Sequence, residues 1–137
     1  MALEMDLEMN GGPQDWKALN LILEEIGLSE ISAQDETGMR AALGRGELSI
    51  GVSWGNPKRD GVIRAEGKHE CHFKVTGTIL FRINNSMYDE AVATIRTILT
   101  QLTERTDMLF VLSFQYEGVY AIRDPKRGFE WFWQEPR

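Results

Sequence analysis

The sequence predicts an α+β fold: two layers, with a mostly antiparallel sheet of five to six strands, a long helix packed on one face and two N-terminal helices. Three observations carry that prediction. Over residues 86–105, Tyr88, Ala91, Val92, Ile95, Ile98, Leu99 and Leu102 recur at the three- and four-residue spacing of one helix face. Residues 48–54 and 71–83 instead alternate apolar and polar side chains, the period of a strand with one face on a core. Residues 108–112 are apolar throughout, as in an interior strand covered on both faces.

Taken in order, residues 1–12 are expected to form a flexible tail or an added edge segment. Leu and Met there alternate with Glu4, Asp6 and Glu8, no helical stripe develops, and the stretch ends in Gly11-Gly12-Pro13. Pro13 suits the first turn of a helix, and Trp16, Leu19, Leu23 and Ile26 follow at helical spacing up to Gly27, a left-handed cap. A first helix over Gln14–Ile26 results. Ser32 and Asp35 resemble a capping box, and Met39, Ala42 and Leu43 give a short apolar face before Gly44, so a second helix is expected over Ala33–Leu43. Leu28 and Ile31, in the link, are expected to pin both helices to the core.

Leu48, Ile50, Val52 and Trp54 then alternate with Ser49, Gly51 and Ser53 as a half-buried strand. The polar run Gly55 to Gly61 reads as a loop, Val62 to Ala65 as a short strand and Glu66 to Lys68 as a turn. In the long strand that follows, Cys71, Phe73, Val75, Gly77, Ile79, Phe81 and Ile83 share one side, and Leu80 and Arg82 fall on the other. Gly77 marks a bulge or a close approach by a helix backbone. Ser86 with Asp89 is expected to cap the long helix. Beyond it, Glu117-Gly118 turns the chain into Val119–Arg123, and Phe129, Trp131 and Trp133 share one face of a short aromatic edge strand.

A chain of 137 residues, 42% of them hydrophobic, suits one globular domain spanning residues 1–137. Cys71 is the only cysteine, so no internal disulfide forms; with no basic, apolar leader and no apolar run of about 18 residues, a cytoplasmic location is expected and no membrane contact. Charge is uneven. Residues 1–39 hold nine acids against Lys17 alone, within a net charge of −6. Such a surface repels a phosphate backbone, which argues against nucleic acid and for a basic protein partner.

His69-Glu70-Cys71-His72 is the only cluster of metal-ligand type, but on a strand its side chains diverge, and no second pair of ligands exists in the sequence. A small buried Cys beside solvated His accounts for it, and neither a metal nor a cofactor is expected. The paired acids Glu24-Glu25, Asp35-Glu36 and Asp89-Glu90 sit on polar helix faces or first turns rather than in the apolar surroundings that proton-transfer chemistry needs. Gly44-Arg45-Gly46 lacks the rest of a phosphate loop, and Lys58-Arg59 and Lys126-Arg127 read as solvated turns. No catalytic residue is assigned.

In size, acidic bias and absence of a catalytic constellation the chain resembles, by type and not by motif, the immunity proteins that bacteria encode beside secreted or contact-delivered toxins. The resemblance implies an inhibitor that binds a cognate, basic toxin domain and occludes its active site. Glu24, Glu25, Glu30, Asp35 and Glu36 would steer the encounter, and Trp54 or Trp131 would anchor it. Two other readings stand beside it: a small enzyme or ligand-binding domain with a pocket between sheet and helices lined by Tyr116, Tyr120 and Trp side chains, and a homo-oligomer formed through the aromatic edge.

Overall fold

The computed structural model describes residues 3–35, 38–54, 63 and 73–133. The expected loop at residues 55–61, the short strand after it except for Ile63, the turn at 66–68 and the cluster at 69–72 lie outside the described residues. The elements run β1 (Leu3–Met9), α1 (Pro13–Ile26), β2 (Leu28–Asp35), β3 (Gly38–Leu43), β4 (Leu48–Trp54), β5 (Gly77–Ile83), a 3-10 turn (Asn85–Met87), α2 (Tyr88–Arg105), β6 (Phe110–Ser113), β7 (Val119–Asp124) and β8 (Gly128–Trp131).

The fold is α+β with one open antiparallel sheet, in the order β2-β3-β4-β5-β1-β6-β7-β8. Two antiparallel meanders therefore meet at β1, which pairs with β5 on one side and β6 on the other. Among the described residues the strands number eight rather than five to six, and one helix rather than two precedes the long one.

Two corrections explain that difference. Residues 3–9 are no tail: Met5, Leu7 and Met9 are fully buried, while Glu4, Asp6 and Glu8 point to the other face. Their alternation is that of a strand, and pairing with partners remote in sequence fixes what the local signal leaves open. Residues 28–43 form the β2–β3 hairpin instead of a second helix. Met39, Ala41 and Leu43 are buried at period two, and β3 pairs along its whole length with β4, from Gly38 opposite Ser53 to Leu43 opposite Leu48. Tertiary pairing overrides the apparent capping box.

Helix α1 starts at Pro13, where the Asp15 carboxylate accepts from the Gly12 N–H at 2.7 Å, and ends on Gly27 at φ 119°. Gly27 donates to the Leu23 carbonyl and its own carbonyl accepts from the Gly44 N–H at 2.9 Å, tying the helix end to the β3–β4 turn. The cap of the long helix moves from Ser86 to Asn84: its Oδ1 accepts from the Ser86 N–H at 3.1 Å and from Ser86 Oγ at 2.7 Å, and the 3-10 turn leads into α2 at Tyr88. At the other end Arg123 donates through Nη1 to the carbonyls of Leu102, Thr106 and Met108, at 3.4, 2.6 and 3.3 Å. A guanidinium at a helix C-terminus satisfies carbonyls that the helix itself cannot.

Both helices bury their stripes in one cluster with the same sheet face. Ala91, Val92, Ile95, Ile98, Leu99 and Leu102 of α2 are each at most 1% exposed, as the stripe requires. Gly77 marks a close approach, though by a side chain: a Cβ there would run into the Trp16 ring of α1. Strand β6 is interior and buried on both faces, Phe110 and Leu112 toward the helices and Val111 and Ser113 away from them. The second face is uneven: Glu8, Val111, Ser113 and Ile122 are buried, whereas Arg40, Ser49, Leu80 and Arg82 are exposed. Among the described residues no helix is long and apolar enough to cross a membrane.

Candidate functional site

Three of the five acidic residues singled out in the sequence, Glu24, Glu25 and Glu30, lie where α1 hands over to β2, the outermost strand among the described residues. Glu24 and Glu25 are exposed on the last turn of α1, and Glu25 meets Arg105 of α2 at 2.7 Å. Glu30 is exposed on β2 with a left-handed backbone, φ 48°, where the β2–β3 register shifts between Ser29 and Ala33. An irregularity of this kind disrupts the ladder at an edge and limits indiscriminate strand pairing. Asp35 closes β2 opposite Gly38, and Glu36 lies outside the described residues.

Two apolar side chains join these acids. Leu21 on α1 is 57% exposed and Ile31 on β2 is 49% exposed, the most exposed large hydrophobics among the described residues. Ile31 therefore does not pin the helices to the core, although Leu28 does pack against it. Leu21 had a signal in the sequence: two residues from both Leu19 and Leu23, it falls roughly 200° around a helix from each and off the buried stripe. Residues 21–31 thus hold two exposed apolar side chains and three exposed acids, divided between the end of α1 and β2, the outermost strand among the described residues.

The two tryptophans lie elsewhere. Trp54, at the end of β4, is half-buried and stacks on Trp16 with centroids 5.7 Å apart and planes 13° apart. Trp131 lies on β8, at the opposite edge of the sheet from β2, stacked on Trp133 at 5.7 Å beneath the Arg96 guanidinium at 5.3 Å. Both pack against the core cluster. Tyr120 meets Trp133 edge-on at 5.3 Å, and Trp133 Nε1 donates to the Tyr88 hydroxyl at 3.1 Å, so these rings fill space against each other.

A cavity of about 570 Å³ opens between the start of α2, the end of α1 and the β3–β4 turn, and Glu47 is its buried acid. Burial works to raise the pKa of this carboxyl, but hydrogen bonds from the Thr94 hydroxyl and from the Glu47 and Arg45 backbone N–H groups, with the Arg45 charge, outweigh it and leave the value lowered. Oε2 accepts from Thr94 Oγ1 and Oε1 from the Arg45 N–H, each at 2.6 Å. A carboxylate held ionised with both oxygens engaged is a structural tie between α2 and the turn, the opposite of a poised proton donor. Among the described residues no group of three or more His, Cys, Asp or Glu side chains is placed to hold a metal ion. No protein-family model, curated protein or solved structure matches the chain.

Proposed function

We propose that this chain is a protein-binding inhibitor, an immunity protein that neutralises a cognate, basic bacterial toxin domain by occluding its active site. One observation carries the reading: within residues 21–31, Leu21 and Ile31 stand exposed, as do Glu24, Glu25 and Glu30, where α1 leads into β2, the outermost strand among the described residues. Exposed apolar side chains bordered mainly by acids, with Lys17 one turn from Leu21 and Arg105 paired to Glu25, have the composition of a contact surface, with apolar anchors for affinity and acids for steering. A partner that fits has a basic rim around an apolar patch. Trp54 and Trp131 are half-buried and stack on Trp16 and on Trp133 beneath Arg96, so Leu21 and Ile31 take the leading place beside them as anchors.

The test captures the partner from a bacterial host on the immobilised full chain and assays its toxic activity with and without the chain. Association should slow by about tenfold between low and high ionic strength. Glu24→Lys with Glu30→Lys should slow it further, and Leu21→Ser should hasten dissociation. Capture that ignores all three substitutions, or a captured protein whose activity the chain leaves intact, refutes the proposal.

A further inference from the structure

On the exposed part of the second sheet face basic and acidic side chains meet: Arg40 stands on β3 and Arg82 on β5, with Glu4 and Asp6 of β1 opposite Arg82 and Leu80. A trough of about 500 Å³ runs there across β3, β4 and β5. Ser49, Gly51 and Ser53 of β4 form its floor, Arg40 of β3 one wall, and Leu80 and Arg82 of β5 the other. The register places Arg40 opposite Gly51 and Gly51 opposite Leu80, with Ser49 opposite Arg82. Between Arg40 and Leu80 the floor has no side chain at all. Among the described residues a Cβ on Gly51 would meet only Leu80 Cβ, at 4.0 Å, so the depth comes from a missing side chain.

The walls are not satisfied by the fold. Arg40 is exposed, with no hydrogen-bond or ion-pair partner among the described residues. Arg82 donates through Nε and Nη2 to Glu4 Oε2 at 3.2 and 2.9 Å, yet its side chain remains 61% exposed, and an exposed pair of this kind yields readily to a competing carboxylate. Leu80 is 37% exposed although it stands on an interior strand. Arg40 and Leu80 are two strand spacings apart, roughly 10 Å, room for one extended chain between them.

We propose that this trough docks an extended acidic segment of a partner protein, one carboxylate forked by Arg40 and a neighbouring apolar side chain resting on Leu80. Arginine suits the task because its planar guanidinium grips a carboxylate through two parallel hydrogen bonds. Among the described residues the trough is partly open to solvent, which suits a chain lying in it rather than a small molecule enclosed within it. Gln34 of β2 also lines the trough, so this surface adjoins the β2 edge, but it is tested through Arg40 and Gly51, which the toxin reading does not use.

The experiment titrates the isotope-labelled full chain with the blocked peptide Glu-Leu-Glu-Leu-Glu and follows backbone amide shifts. Shifts should gather on residues 40, 49–53 and 80–82 and saturate in the low-millimolar range. Arg40→Gln should weaken binding about fivefold, the scale of one solvent-exposed ion pair. Gly51→Val, which fills the floor, should abolish it, while Lys126→Gln, exposed on the β7–β8 turn, should leave it unchanged. If Gly51→Val proves unfolded by circular dichroism, Arg40→Gln decides alone. No shifts up to about 10 mM peptide, shifts mapping elsewhere, equal binding of Lys-Leu-Lys-Leu-Lys or of succinate alone, or an Arg40→Gln protein that binds like the parent would each overturn the proposal.

Discussion

The two faces of strands β3 to β5 differ more than any two elements of the molecule. On β4, Ile50 and Val52 are almost completely buried beneath the helices, while Ser49 and Gly51, each one residue away in the chain, floor a trough open to water. On β5 the same holds for Phe81 against Leu80 and Arg82. Because successive side chains of a strand point to opposite faces, one run of sequence can meet two unrelated demands. The helix side answers to packing. The other side, among the described residues, takes no part in that packing.

Substitutions of graded severity sharpen that contrast. The largest effect belongs to Ile95→Asp, which places an unpaired carboxylate in the fully buried seam of α2. Its cost approaches the roughly 5–15 kcal/mol that keeps a domain folded, so cooperative thermal unfolding should disappear; a soluble variant with an unchanged melting curve would contradict the placement of α2. Arg123→Met comes next, since it strips three carbonyls at the end of α2 of their shared donor. A loss of about 2 kcal/mol is expected in chemical denaturation.

Thr94→Val is milder and depends on pH. It removes the hydroxyl bonded to Glu47 and should lower stability by about 1 kcal/mol near neutrality. The folded carboxyl titrates below its unfolded value, so its contribution is present above the unfolded pKa and lost as pH falls through the folded one. The gap between variant and parent should therefore close in acid; a gap that is constant with pH would mean that Thr94 acts through packing alone. The smallest effect is expected on the open face, where Arg40→Gln should change stability by less than about 0.5 kcal/mol. A larger loss would make Arg40 part of the fold and break the division between the faces.

How much of this was legible depends on whether a signal is local. The α2 stripe, the alternation of β4 and β5, the double burial of β6 and the left-handed cap at Gly27 follow from spacing within one segment. Strand β1 did not, because its partners lie far along the chain and the nearby Gly-Gly-Pro suggested a tail; the β2–β3 hairpin did not, because the register shift between Ser29 and Ala33 interrupts its period of two and the Ser-Asp pattern suggested a helix. For the candidate site, the exposure of Glu24, Glu25 and Glu30 was readable from residue type. Trp54 and Trp131 are half-buried, each with a ring stacked on it: the Trp131–Trp133 contact follows from their shared strand face, whereas Trp16 meets Trp54 only through the tertiary fold. Leu80 and Arg82 were assigned correctly to the outward side of β5, but their pairing with Arg40 across a bare Gly51 needs the β3–β4 register, which the helical reading of residues 33–43 removed.

The central position of β1 has a consequence during biosynthesis. Leu7 emerges from the ribosome early yet must wait for Ile79 and then Leu112 before both of its ladders can close. Until then an alternating apolar strand is available to any other edge, and pairing across such sequence separations is slow. Glu4, Asp6 and Glu8, interleaved with Leu3, Met5, Leu7 and Met9, give the waiting segment a negative charge at every second position. Two nascent copies then repel each other at the very stretch most inclined to associate, so the acids of β1 act as a guard on the unfinished chain before they become part of the finished sheet.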